Sequence, residues 1–236
     1  MKMSVLTTAV KLAIMCTFML APCLVGQDRG GTPLGEARMQ IGDVLSKAHA
    51  SGSLEYWGVC NFKELYPDFP KLKRISVHEG SPVELLREMF SVDSEMRVSQ
   101  DADGIIRMIE EDVPSDLLGV KIHHLRFPVE YHGPHMAINV IVHSSEVIAF
   151  RREHNIGPSA EWGPGFAYPS DAFAPDKPSV VGDLYDVTVK QALDYVLKTF
   201  HGFWLYENCK SPQGGRIVYI GFLENAPSTV PVQTQK

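Results

Sequence analysis

Gly182-Asp183-Leu184-Tyr185-Asp186-Val187-Thr188-Val189-Lys190-Gln191-Ala192-Leu193-Asp194-Tyr195-Val196-Leu197 reads as a strand feeding directly into a helix. Leu184 to Val187 carries the strand. Thr188-Val189-Lys190-Gln191 has the pattern of a capping box, in which a threonine hydroxyl and a glutamine amide satisfy each other's backbone N–H groups. Ala192, Leu193, Val196, Leu197 and Phe200 recur at helical spacing and make one apolar stripe. Gly202 is expected to end the helix. Phe203-Trp204-Leu205-Tyr206 and Arg216-Ile217-Val218-Tyr219-Ile220 then read as two strands turning across Pro212-Gln213-Gly214-Gly215. The order over residues 182–222 is strand, helix, strand, strand.

The same order is expected over residues 72–127. Arg74-Ile75-Ser76-Val77 alternates as a strand does, and Ser81-Pro82-Val83-Glu84 combines a serine N-cap, proline at the first helical position and glutamate three residues on. Leu85, Leu86, Met89 and Phe90 supply the buried stripe. Met96 to Ser99 and Ile105 to Ile109 form a hairpin turning at Asp103-Gly104. Pro114 to Leu118 reads as a short helical turn and Lys121 to Phe127 as a strand. A third stretch, about 35–60, holds a helix through Ala37, Ile41, Val44, Leu45 and Ala48, a stop at Gly52, and a strand through Leu54 and Tyr56 toward Cys60. These patterns predict an α+β fold of two or three small helix-on-sheet units, forming one compact domain over residues 27–224.

Between residues 72–127 and 182–222, residues 135–154 are helical by spacing, in two pieces hinged at Ser144-Ser145. Residues 157–182 carry prolines and the aromatics Trp162, Phe166, Tyr168 and Phe173 without a sustained period; a loop of that length is functional or a linker. Residues 225–236 form a polar, proline-containing tail expected to be disordered.

The run from Gly182 to Leu197, followed by Gly202 and two short strands, resembles the secretin and TonB N-terminal short domain, and residues 72–127 resemble it more loosely. The resemblance implies a small helix packed on a sheet that holds no chemistry and contacts partner proteins or neighbouring subunits. No secretin or receptor barrel follows in this sequence.

Lys2 and Lys11 with the apolar run Leu12 to Leu20 read as a secretory signal over residues 1–26, too short to span a bilayer comfortably. Leu20-Ala21-Pro22-Cys23 also matches part of a lipoprotein signal, though Pro22 is a poor residue before a lipidated cysteine. The mature chain is expected to be exported, periplasmic or associated with the outer envelope, with no further membrane span. Its formal charge falls from −6 to −8 when the two signal lysines leave. That balance opposes nucleic-acid binding, which requires clustered Lys and Arg. Outside the signal only Cys60 and Cys209 remain, an even count in an oxidising compartment. Paired, they would close a loop of roughly 150 residues, worth about 5 kcal/mol in the chain-entropy account.

Six of nine histidines lie between residues 123 and 154. His132 and His135 flank Gly133-Pro134, and His143 with Glu146 makes a helical i, i+3 pair. Neutral imidazoles in such a stretch would suit zinc or copper, so a metal site through His132, His135 and His143 is the alternative reading of function. His123 and His124, adjacent on a strand, are expected to face opposite sides. No Gly-x-Ser-x-Gly or HExxH signature occurs, and no catalytic residue or cofactor is expected. Trp162, Phe166, Tyr168 and Phe173 are the candidate partner-binding residues, because aromatics dominate contact energetics. The reading these features favour is an exported, non-enzymatic interaction or assembly module of the bacterial cell envelope.

Overall fold

The computed structural model describes residues 34–58, 70–76, 80–93, 95–128, 133–157, 178–211 and 214–224. The fold is mixed α+β. Its first helix, α1 (Leu34–Lys47), is followed by strand β1 (Gly52–Gly58), helix α2 (Pro82–Met89), and the hairpin strands β2 (Met96–Gln100) and β3 (Ile106–Glu110). A single 3-10 turn at Asp116–Gly119 leads to β4 (Lys121–Phe127). Helices α3 (Pro134–Val142) and α4 (Ser145–Glu153) come next, then the two-residue β5 (Ile156–Gly157), β6 (Gly182–Thr188), α5 (Val189–Thr199), β7 (Gly202–Lys210) and β8 (Arg216–Glu224).

Six strands make one sheet in the order β2-β3-β1-β7-β8-β5. Its centre is parallel: β1 runs beside β3 from Gly52 opposite Ile106, and beside β7 from Gly52 opposite Phe203 to Gly58 opposite Cys209. The hairpins β2-β3 and β7-β8 flank that centre in antiparallel pairing. Because side chains alternate along a strand, β7 sends Phe203 and Leu205 to one face and Trp204 and Tyr206 to the other. The first face packs on Ala37, Ile41, Val44 and Leu45 of α1 and on Leu85, Leu86 and Met89 of α2. The second packs on α3 and on Val189, Ala192, Leu193, Val196 and Leu197 of α5. Helices therefore cover both faces, which is the usual condition of parallel pairing.

The expected units do not stand alone. Each contributes a strand to the shared sheet, and β1 takes its two neighbours from the other two stretches. The leading strand of residues 182–222, β6, pairs instead with β4 in a separate two-stranded ribbon, from Lys121 opposite Thr188 to Phe127 opposite Gly182. The leading strand expected at Arg74 to Val77 is absent over its described part, residues 74–76; this piece is held by a bond from the Lys73 N–H to the Met89 carbonyl, 2.7 Å, and by the packing of Leu72 and Ile75 on the first core.

The α5 capping box forms as its sequence dictates: the Thr188 hydroxyl accepts from the Gln191 N–H, and the Gln191 amide oxygen accepts from the Thr188 N–H at 2.8 Å. At α2, Pro82 occupies the first helical turn, but the Ser81 side chain makes no cap bond. The two glycines read as helix stops do something else: both open strands. A Cβ at Gly202 would meet the Leu223 carbonyl oxygen at 2.0 Å, and one at Gly52 would meet the Ile106 carbonyl oxygen at 3.0 Å, so each glycine admits a neighbouring backbone. Helix α1 is closed earlier. His49, at φ +50°, donates its N–H to the Ser46 carbonyl while Ala50 donates to Leu45, the two bonds of a Schellman turn with histidine in the left-handed position.

Since an L side chain in that conformation is strained, His49→Gly is expected to raise the unfolding free energy by about 0.5–1 kcal/mol. Urea denaturation would read the change; a less stable glycine variant would mean that the imidazole makes a contact worth more than the strain.

Candidate functional site

The second face of the sheet carries a polar row among apolar neighbours. Ser53 lies opposite Arg107 on β3 and opposite Trp204 on β7, so the three side chains stand side by side beneath α5. Arg107 is only 8% exposed. Its guanidinium donates to both Asp194 carboxylate oxygens at 2.8 and 2.9 Å, to Asp101 at 2.6 and 2.9 Å, and to the Ser53 hydroxyl at 3.2 Å. Asp194 also accepts the Trp204 indole N–H at 3.0 Å. One turn earlier on α5, Lys190 reaches Glu55, which is 1% exposed and also accepts the Ser115 hydroxyl at 2.8 Å. Arg107 and Lys190 each sit 6.0 Å from the Trp204 ring centroid. Burial works against ionisation of Asp101, yet the Arg107 guanidinium and the N–H groups of Ile105 and Asp103 hold its carboxyl below the usual range. Every charge in this cluster is answered by another member. It locks α5 onto three strands.

The ribbon gives the opposite picture. His123 and His124 are both exposed, and β4 buries Ile122 and Leu125 three residues apart. Opposite His123, Asp186 takes φ +54° and leaves the ladder with it. The His123 ring donates to Asp186 at 3.1 Å, Lys121 adds a second contact to the same carboxylate, and the His123 N–H donates to Glu146 of α4 at 3.0 Å. The bonds from His123 and Lys121 lower the Asp186 pKa, and the His123 backbone bond lowers that of Glu146. His124 reaches Asp183 at 2.7 Å and stacks on Tyr185 with ring centroids 4.8 Å apart and planes 5° from parallel. Tyr185 remains 65% exposed. Sequence periodicity missed this surface, since a paired backbone distortion at positions 123 and 186 carries no composition signal beyond the aspartate that tolerates left-handed φ.

At the carboxyl ends of the parallel strands, Lys210 lies 5.7 Å from the Trp57 ring centroid, and the Trp57 indole donates to the Asp112 carbonyl. Glu110 accepts the Trp57 N–H at 2.6 Å. Burial raises its pKa against that bond, with the charges of Asp93 and Glu95 adding to the rise.

Of the residues singled out from sequence, Cys60, His132, Trp162, Phe166, Tyr168 and Phe173 lie outside the described residues. Cys209 is buried at the end of β7, and it is the one cysteine among the described residues, so no bridge joins two described cysteines. His135 sits half-buried in the first turn of α3, and the exposed His143 ring donates to the Asn139 carbonyl at 2.9 Å. Eight residues part them, about 12 Å along a helix axis. The His154 ring likewise donates to the Phe150 carbonyl. No group of three potential metal ligands occurs among the described residues.

Asp194→Ala removes one of two carboxylates from a buried guanidinium and the acceptor of a buried indole, and is expected to cost about 2–4 kcal/mol in urea denaturation. Asp194→Asn, which keeps an acceptor, should lose less; a loss below about 1 kcal/mol for alanine would show that Asp101 alone suffices. Glu110 holds its proton more tightly in the folded protein than in the unfolded chain, so its ionisation opposes folding at neutral pH and the cost fades as pH falls through the folded pKa. Glu110→Gln retains an acceptor for the Trp57 N–H. It is expected to stabilise the protein at pH 7 and to lose that advantage near pH 4, about the unfolded value; an advantage equal at both pH values would remove ionisation as its cause.

No protein-family profile, no curated protein and no solved structure matches this chain.

Proposed function

We propose that the chain serves as an exported, non-enzymatic interaction or assembly module of the bacterial cell envelope, docking through the β4-β6 ribbon. The observation that carries this reading is the exposed Tyr185, laid flat on His124 on a two-stranded ribbon. A large aromatic held rigidly in solvent loses little entropy on binding and is the kind of residue that anchors interfaces. The interior polar groups support it from the other side, because the charges on the second sheet face are spent on one another. The edge strand β2 is a poorer dock: the Arg87 side chain donates to its Val98 carbonyl at 3.0 Å, and such a contact blunts an edge.

Export is supported by the signal-like residues 1–26, and we infer that Cys60 and Cys209 pair after it. Gly58 stands opposite Cys209 in the β1-β7 register, two residues before Cys60. The resemblance to the secretin and TonB short domain supports the same role, since those modules bind protein.

A benzophenone cross-linker placed at position 185 in cells is expected to yield a discrete adduct with a second polypeptide, and none from position 198 on the exposed side of α5. Absence of an adduct at 185, or equal adducts at both, would overturn the ribbon as the docking surface. Thiol titration of denatured mature protein should find no free cysteine, whereas two free thiols would remove the bridge.

A further inference from the structure

We propose that the Asn208 side-chain oxygen binds one small hydrogen-bond donor, at the carboxyl ends of β1 and β7, a site separate from the ribbon. Asn208 is 0% exposed, and its Oδ1 has no hydrogen-bond partner among the described residues. The amide's orientation is set by its nitrogen. Nδ2 donates to the Pro114 carbonyl at 3.0 Å and to the Tyr206 hydroxyl at 3.3 Å, while that hydroxyl donates to the same carbonyl at 2.9 Å. Reversing the amide would set its oxygen against the Pro114 carbonyl oxygen, two acceptors face to face.

Among the described residues, the cross-strand neighbours supply no donor for Oδ1. Trp57 and Val218 stand directly opposite Asn208 on the flanking strands. Val218 has no polar side-chain atom, and the Trp57 indole N–H is committed to the Asp112 carbonyl at 3.2 Å. The Tyr206 hydroxyl proton is committed as well, and burial pushes the phenol's pKa up, so it stays protonated and keeps that bond. An acceptor desolvated in this way recruits a donor, because leaving it bare forfeits the hydrogen bonds it made to water in the unfolded chain.

The chemistry required is small, neutral and donating. A single water meets it, as buried waters commonly answer orphaned polar groups. The O–H or N–H group of a small polar molecule meets it equally, and the position favours entry, since open sheets with parallel strands accept ligands outside the carboxyl ends of those strands. Both sources share one contact, to Asn208 Oδ1.

A crystal structure of the purified protein, at a resolution that separates waters, is expected to place an ordered atom within about 3.2 Å of Oδ1. Isolated spherical density with a water cross-peak to the Asn208 side-chain amide in nuclear Overhauser spectra would identify solvent. Continuous larger density, matched by a co-purifying small molecule in mass spectra, would identify a ligand. An amide found reversed, with Nδ2 bonded to a protein acceptor in the place now assigned to Oδ1, would overturn the proposal. So would density holding no atom near Oδ1. Both readouts use the unaltered protein and do not depend on whether an Asn208 variant folds.

Discussion

Burial of the Arg107 guanidinium is the constraint around which the second sheet face is arranged. A charge drawn out of water costs several kcal/mol unless carboxylates and hydrogen bonds replace its solvation. Here Asp101 comes from the turn of the β2-β3 hairpin, Asp194 from α5 and Ser53 from the central strand. The three partners belong to distant parts of the chain, so the guanidinium is satisfied only when hairpin, helix and strand have all taken their places. Trp204 completes the arrangement, giving its indole N–H to Asp194 and its ring to the cations beside it. The cluster contributes to specifying one docking of α5 on the sheet, because a shifted helix would strand both Asp194 and Lys190 away from their partners.

Local structure was legible in the sequence wherever a few adjacent residues decide it. The Thr188-Gln191 box, the Asp103-Gly104 hairpin, the break at Ser144-Ser145 and the two strands after α5 stand where spacing puts them. The role of Gly202 is not legible along the chain for a physical reason: what it must avoid is the Leu223 backbone, a neighbour brought in by pairing. Ser53, Glu55 and Arg107 were overlooked because an alternating strand with polar residues on one side reads as half solvated. In this sheet helices cover both sides, and the polar side is buried against α5. The signal that could have found them lies on that helix, where Lys190 and Asp194, four residues apart, border the apolar stripe.

The ribbon and the interior thus divide the polar residues between two regimes. Inside, ion pairs are fixed by burial and weakly screened by salt; on the ribbon, the contacts of His123, His124 and Lys121 with Asp186 and Asp183 are exposed, and each contributes modestly in a screening solvent.

The parallel pairing of β1 with β7 joins residues 52–58 to residues 203–209. Contacts of such long sequence separation slow folding, because loop-closure entropy is lost before the pairing repays it. A growing chain that has not yet released β7 therefore has a central strand open on one side and an α5 without its sheet. Such a chain completes neither core until nearly all of it is available. The topology of the sheet itself acts as a timer, deferring closure of the core until its last strands are in place.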